Sequence, residues 1–341
     1  MRPTVHDIAA AAGVSLATVD RVLNQRPGVR QATRRKVEEA IREIGYVRDV
    51  AAANLAKSRV YPLVFILPTS DNSFMHGVLE EVKQAVARSG GERTAIRVIE
   101  VPAFDPSAIV AALQGLASEK PAGVALVATD APEVRAAVDD LVAAGVSVVT
   151  LVSDLTGSRR HHYAGVDNIA AGRTAAHLLG RFLGAKEGEV AVLAGSMLVR
   201  DHRERLEGFA ALMAEQFPQF SLLPVVEGRD DPELVNVLIN ATLSKNPRVI
   251  GIYSLGAGNR GLIKSLKESR PQRDLTVVAH ELTAHTRSAL KDGLIDAILN
   301  QDAGHEVRSA IRVMKAKADG LAIIPAQERI RLDIFLKDNL P

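Results

Sequence analysis

The apolar positions follow one rhythm up to about residue 45 and another beyond residue 60. In VHDIAAAAGVSLATVDRVLN (5–24), Val5, Ile8, Ala9 and Ala12 share one face at helical spacing. Gly13 permits a sharp turn, Val14 plugs it, and Ser15 stands where a helix cap is wanted. The next helix turns Val19, Val22 and Leu23 inward and leaves Leu16, Ala17, Asp20 and Arg21 on the opposite face. Two short crossed helices of this kind form a helix-turn-helix, whose second helix enters the DNA major groove. Residues 31–44 predict a third amphipathic helix with Ala32, Val37, Ala40, Ile41 and Ile44 inward, Arg34, Arg35 and Lys36 outward, and Gly45 ending it. In RDVAAANLAKSR (48–59), Asp49 can cap a very short alanine-rich helix, one too short to hold alone in water.

From Tyr61 onward, short apolar runs read as buried parallel strands: 62–68, 95–101, 123–129, 147–153, 189–195, 249–254 and 275–280. Amphipathic helices alternate with them over 78–88, 132–144, 170–183, 204–216, 233–244 and 257–268. That alternation demands parallel sheet covered on both faces, with ligands beyond the carboxyl ends of the strands. About ten strands are too many for one compact sheet, so two doubly wound lobes facing a cleft are expected. GAGNRG (256–261) lacks full dinucleotide spacing, and no Walker lysine pattern occurs, so no nucleotide cofactor is expected.

Composition sharpens this picture. Among the first sixty residues, Lys and Arg exceed Asp and Glu by five, whereas the remainder carries a net −3. A basic head on a mildly acidic body is expected where only the head meets phosphates. The chain has no cysteine, which excludes disulfides and thiolate metal sites. Its start lacks the apolar run of a secretory signal, and no stretch approaches about 18 uninterrupted apolar residues. A cytoplasmic protein without membrane association is expected. His161–His162 and His280–Glu281 lack ligand spacing and an adjacent nucleophile, so neither a metal site nor an enzyme is expected.

AGVSLATVDRVLN resembles the signature of the lactose-repressor/galactose-repressor (LacI/GalR) family of bacterial transcription regulators. GVRQATRRKVEEAIREIGY is similar to that family's third helix and AAANLA to its hinge. HYAGVDNIAAGRTAAHLL, RERLEGF, ILNQD and RIRLDIFLKDNLP resemble its effector domain. The resemblance implies a lambda-repressor-like helix-turn-helix head (1–47), a hinge helix and linker (48–60), and a two-lobed type I periplasmic-binding-protein-like domain (61–341). One lobe would comprise about 61–164 and 300–326, the other about 165–299 and 327–341. It further implies a homodimer, without cofactor, that reads double-stranded operator DNA as a ligand-responsive repressor of carbohydrate genes. The rival reading of the body is a sugar-binding receptor of a transport system, which the missing signal and the head oppose.

By the same resemblance, Leu16 and Ala17 occupy base-choosing positions and Arg21 a third. Physically, Leu16 and Ala17 offer apolar contact to thymine methyls, and Arg21 can bond guanine or phosphate. Thr4, Ser15 and Thr18 are phosphate donors or simply helix caps; Asn24 joins the DNA-facing set. Asp20 stands where serine is usual, and is expected to accept from cytosine or to orient Arg21 or Arg30. Arg30 replaces a small cap residue and adds a phosphate contact. Leu55 falls where relatives insert paired leucines into the minor groove; otherwise it packs beneath the effector domain.

In the body, the residues expected to meet the effector are Asn72, Phe74, Asp130, Asp154, Arg205, Ser254, Asn259, Glu281 and Gln301, with structural roles as the alternative for each. Arg205 and Glu281 lead, matching an arginine and a usual aspartate of the family. Stacking would rest on Phe74, Tyr163 or Tyr253, since aromatic residues are only 4% of the chain. The effector class is a sugar, polyol or sugar acid.

Overall fold

In the computed structural model, the structure describes residues 3–24, 26–46, 59–69, 71–256, 258–269 and 274–341. The chain divides into two compact units, 1–59 and 60–341. The hinge segment 48–58, with Leu55, lies outside the described residues.

The first unit holds α1 (Val5–Ala12), α2 (Leu16–Leu23) and α3 (Gln31–Glu43). Ile8, Val19, Val22, Val37 and Ala40 form its core, with Val14, Leu23 and Ile41 packed around them. Gly13 takes the left-handed conformation, φ 64°, that closes α1 and redirects the chain. Two positions expected inside, Val5 and Ala32, are exposed. Each lies in the first turn of its helix, where the apolar stripe runs past the edge of a very small core.

The second unit contains two sheets. The first has order β2-β1-β3-β4-β5, all parallel: β1 (Tyr61–Thr69), β2 (Thr94–Pro102), β3 (Gly123–Leu126), β4 (Ser147–Leu151) and β5 (His162–Ala164). Its crossovers are α4 (Ser73–Glu92), α5 (Pro106–Glu119) and α6 (Pro132–Ala143). The continuous apolar run of β1 is explained by burial on both faces. Leu63, Phe65 and Leu67 join one core, Val64 and Ile66 the other.

The second sheet has order β12-β11-β10-β9-β6-β7, with β8 also pairing β6. It is built from β6 (Gly188–Ala194), β7 (Phe220–Leu222), β8 (Val226–Glu227), β9 (Val249–Ser254), β10 (Thr276–His280), β11 (Ala297–Gln301) and β12 (Leu332–Phe335). Only β12 runs antiparallel. Its helices are α7 (Asn168–Leu183), α8 (Arg200–Gln216), α9 (Pro232–Lys245), α10 (Asn259–Ser269) and α11 (Ala284–Lys291). Short β5, β7 and β8 went unread in the sequence because two or three residues carry no usable alternation.

The chain passes between the lobes three times. After β11 it enters α12 (Ala303–Ala318), which buries Val307, Ala310, Ile311 and Met314 against the first sheet. Then α13 (Pro325–Glu328) leads back to β12. Helices α7 and α8 cross in close contact, because Gly172 and Gly208 lie at the crossing. A Cβ on Gly172 would sit 2.0 Å from the Arg205 carbonyl oxygen, and one on Gly208 would sit 2.1 Å from that of Ile169. This approach sets Arg205 under the cleft.

Candidate functional site

On the first unit, α2 offers a polar and apolar face to solvent. Leu16, Ala17, Asp20 and Arg21 are exposed, opposite buried Val19 and Val22. The hydroxyls expected as phosphate donors also cap helices. Ser15 accepts from the Thr18 N–H at 3.3 Å and its hydroxyl meets that of Thr18 at 3.0 Å. The Thr4 backbone N–H and hydroxyl both donate to Asp7, at 2.7 and 2.8 Å. Those bonds hold the Asp7 carboxyl below the usual aspartate range. Asp20 departs from expectation: its partners are Asn24 (Nδ2 to Oδ1, 2.6 Å) and Arg26 (Nη1 to Oδ2, 3.1 Å), not Arg21 or Arg30. One turn of helix brings Asn24 beneath Asp20, and the chain then folds Arg26 back. Arg21 and Arg30 remain exposed, and Arg30 caps α3 without a side-chain bond.

In the second unit, a cleft opens at the carboxyl ends of the strands of both sheets, where doubly wound folds place ligands. The first lobe contributes an apolar wall that includes Pro68, Phe74, Val101, Phe104, Ile109 and Val152. The second contributes Asp201, His202, Arg205, Asp230 and Glu281, with Gln301 at the crossover.

Arg205 is the largest fully buried side chain and organises this floor. Its Nε donates to Asn168 Oδ1 at 2.8 Å, Nη1 to the Leu255 carbonyl at 2.6 Å, and Nη2 to Glu281 Oε1 at 3.3 Å. Glu281 accepts in addition from the Gln301 N–H at 3.0 Å and from Gln301 Nε2 at 2.9 Å. Behind them, Asn168 Nδ2 donates to the Tyr163 hydroxyl at 3.0 Å, which donates to the Val152 carbonyl at 2.8 Å. The chain of bonds thus runs from one lobe to the other. Burial pushes the Glu281 carboxyl above the ordinary glutamate range although Arg205 and Gln301 pull against it. Burial works against the Arg205 charge too, yet Glu281 and Asp201 hold its pKa above the ordinary value. Burial, with Arg205 and His202 nearby, drops His280 well below its usual range, so it is neutral. Glu306, buried and without a hydrogen-bond partner, is pushed well above the glutamate range by burial and by Glu281.

Backbone strain concentrates here. Phe104, Val152, Asp230 and Glu281 line the cleft with φ of 59°, 60°, 61° and 75°. Left-handed geometry in non-glycine residues, above all in β-branched Val152, persists only where surrounding structure enforces it.

Of the nine expected effector contacts, the cleft brings together Asn72, Phe74, Arg205, Glu281 and Gln301. Asn72 also caps α4 through the Phe74 N–H at 2.9 Å and donates to Asp230 at 3.3 Å across the lobes. Asp130, Asp154 and Ser254 do not line it, and Asn259 lines an adjoining hollow that shares Asn72, Phe74, Asp230 and Gly256 with it. Asp130 instead binds Arg135 of its own lobe and Arg203 of the other, with Arg200 Nη1 at 3.8 Å. Asp154 is occupied by Arg160, by Thr150 at 2.9 Å and by the Leu155 N–H at 2.7 Å. Burial opposes the Asp154 charge, but Arg160 holds its carboxyl below the usual range. Ser254 donates to Asn259 at 2.8 Å, and Asn259 Nδ2 to the His280 carbonyl at 2.6 Å, so this pair ties β9 to β10. Tyr163 and Tyr253 lie outside the cleft too: Tyr253 is stacked on Phe209 at 4.3 Å inside the second lobe.

Sequence reasoning missed Phe104, Asp201, His202 and Asp230. The signal for two of them was present, because Asp201 and His202 precede Arg205 by four and three residues and share its helix face. Among the described residues, no group of histidine and carboxylate side chains has metal-holding geometry, and no helix is long and apolar enough to cross a membrane.

A three-helix head with an exposed second helix, and a two-lobed parallel α/β unit closed on a buried arginine, together define a class: a helix-turn-helix joined to a periplasmic-binding-protein fold. Residues 63–322 match the model of the periplasmic binding protein domain, and residues 4–49 that of the lacI family of bacterial regulatory proteins. The chain belongs to the LacI/GalR family of regulators. Over 74 residues it is 40% identical to catabolite control protein A of Priestia megaterium, an alignment covering 22% of each chain. It therefore spans less than a third of the length of that relative. Against the HTH-type transcriptional repressor PurR of Vibrio cholerae serotype O1 (strain M66-2) the identity is 22% over 282 residues, 82% of this chain and 81% of the other. Among solved structures, a solute-binding protein of an ABC transporter from Burkholderia graminis C4D1M, in complex with D-arabinose, superposes with a TM-score of 0.74. It is 23% identical, over 83% of this chain and 97% of that one. That likeness establishes the fold of the second unit.

Proposed function

We propose that this protein is a ligand-responsive transcriptional regulator, a cytoplasmic homodimer that represses genes of carbohydrate uptake or catabolism. The observation that carries this reading is the α2 surface: Leu16, Ala17 and Arg21 stand exposed on a helix fixed by buried Val19 and Val22. Leu16 and Ala17 contact thymine methyls, and Arg21 contacts a guanine or a phosphate. Thr4, Ser15, Thr18, Asn24 and Arg30 position the head on the phosphates, with Asp20 tuning selection through Arg26 and Asn24. Leu55 of the hinge inserts at the operator centre. The effector is a small sugar, polyol or sugar acid held between the lobes by Arg205, Glu281, Gln301, Asn72 and Phe74.

The test is a gel shift of the purified chain on operator fragments selected from random DNA, across a salt series. A regulator forms a sequence-specific complex whose affinity falls steeply as salt rises. Leu55→Ala weakens that complex and leaves effector affinity unchanged. A transport receptor, the reading favoured by the fold of the second unit alone, binds sugar and forms no specific DNA complex.

A further inference from the structure

Once the bonds inside the cleft floor are counted, what remains for a ligand is lopsided. Asp201 Oδ1 and Gln301 Oε1 are buried in the lining and have no hydrogen-bond partner. Both side chains are more than nine-tenths buried, and both free atoms are acceptors. On the donor side, Arg205 has spent one N–H from each of its three nitrogens on Asn168, Leu255 and Glu281. Its charge is matched by Glu281 at 3.3 Å. Asp201 then stands as an additional carboxylate on the same wall, beside the two N–H groups that Arg205 keeps, so acidic side chains outnumber basic ones around the Arg205–Glu281 pair. An entering carboxylate would meet acceptors that it cannot satisfy and charges that repel it. The facing wall has the opposite character. Phe74, Phe104, Val101 and Ile109 present carbon, and two phenyl rings are among them.

We propose that the effector is a non-anionic, polyhydroxyl ligand with one apolar face, that Asp201 and Gln301 accept hydrogen bonds from its hydroxyls, and that the site rejects the corresponding acids. The proposal rests on the effector-regulator reading and narrows it, since sugar acids leave the set. The apolar wall takes the C–H face or a methyl edge of the ring, and the acceptor floor takes adjacent hydroxyl groups on the other side. Discrimination arises because a site built to accept from hydroxyls is left with unpaired buried groups when the donor is missing.

The experiment is a thermal-shift screen of the full chain, followed by calorimetric titration of the hits. One set holds aldopentoses, aldohexoses, 6-deoxyhexoses and their alditols; the other holds the matching uronates and aldonates. The expected result is a hit in the neutral set at least about 100-fold tighter than its acid counterpart. Asp201→Asn is expected to weaken the neutral hit at least about tenfold, while the melting temperature of the ligand-free variant reports its folding separately. A hit confined to the acid set overturns this inference and leaves the regulator reading standing. Unchanged affinity in a folded Asp201→Asn variant overturns the role of Asp201. Silence from both sets counts against the carbohydrate-effector reading itself, and the inference falls with it.

Discussion

Replacing Arg205 by methionine tests whether the cleft floor is an ion pair that the fold must keep intact. Arg205 and Glu281 are 1% and 2% exposed, so neither charge has recourse to bulk water. Methionine fills much of the arginine volume, but the Asn168 Oδ1 and Leu255 carbonyl acceptors lose their donors. The Glu281 carboxylate then keeps only the two donors of Gln301. Breaking a buried pair on one side costs about 3–5 kcal/mol. For a unit of this size each kcal/mol lowers the melting temperature by about 2–4 °C, so a fall of roughly 6–20 °C is expected.

The penalty must also depend on pH, with a definite sign. Burial already holds the native Glu281 pKa above its unfolded value, and Arg205 opposes that rise. Without Arg205 it climbs further, as does that of Glu306, whose carboxyl Arg205 also restrains. A carboxyl with a raised native pKa binds its proton in the folded state and releases it on unfolding. Its stabilisation is complete below the unfolded pKa and is lost as pH rises through the native one. Urea unfolding at pH 5.5 and 8.0 should therefore show a larger penalty for Arg205→Met at pH 8.0. Adding Glu281→Gln removes the stranded charge and should recover part of the loss, giving a measurable coupling in the double-mutant cycle. A penalty below about 1 kcal/mol at pH 8.0, or one equal at both pH values, refutes the buried-pair argument.

Three further outcomes follow from the packing and the ion pairs. Gly172→Ala places a methyl 2.0 Å from the Arg205 carbonyl oxygen; the overpacking should cost about 1–3 kcal/mol and weaken the effector, as thermal unfolding and titration will show. Asp130→Asn removes the carboxylate that joins Arg203 and Arg200 to the first lobe, so the ligand-free lobes should open and the radius of gyration measured by X-ray scattering should rise; an unchanged value removes Asp130 as a latch. Asp20→Ala breaks a half-exposed pair with Arg26, costing less than about 1 kcal/mol of stability, yet it should change the base preference found by operator selection, and an identical preference takes Asp20 out of the readout.

The difference between legible and illegible features is one of range. Caps, turns and faces are decided within four or five residues, so Ser15, Gly13 and the Val19/Val22 stripe could be read from the chain. So could β1, because an unbroken apolar run states that both faces are covered. Asp20 marks the first limit, since its partner Arg26 lies beyond the helix that carries it, past a bend that the pattern does not reveal. Carboxylates mark the second. Asp130 and Asp154 follow strand ends, which is where ligands bind in such sheets, and yet both are spent on arginines. For Asp154 the arginine is six residues away; for Asp130 it includes Arg203, from the other lobe. Proximity to a strand end is a property of the chain, whereas a free lone pair is a property of everything that folds around it.

The same reasoning explains why the acceptors that count are Asp201 and Gln301. Asp201 stands at a position that the sequence does not distinguish, in the first turn of a helix of mixed charge, whereas Gln301, the last residue of a buried strand, is among the contacts expected from the sequence. Each keeps one oxygen without a hydrogen-bond partner, Oδ1 of Asp201 and Oε1 of Gln301, while its other polar atom faces a neighbour. Gln301 turns its amide nitrogen to Glu281, which leaves its oxygen over. Arg205 makes its direct bonds to Asn168, Leu255 and Glu281 and none to Asp201. Holding Glu281 in the left-handed region, at φ 75°, sustains that allocation, because it keeps the carboxylate between Arg205 and Gln301. Strain at Glu281 and unpaired acceptors at Asp201 and Gln301 are therefore one arrangement. Both carry a cost in the ligand-free fold, and a ligand that donates to these atoms removes part of it. A hydroxyl-bearing effector would then stabilise the lobes in their closed position more than its contact area alone accounts for, whereas a ligand without donors would leave the cost in place.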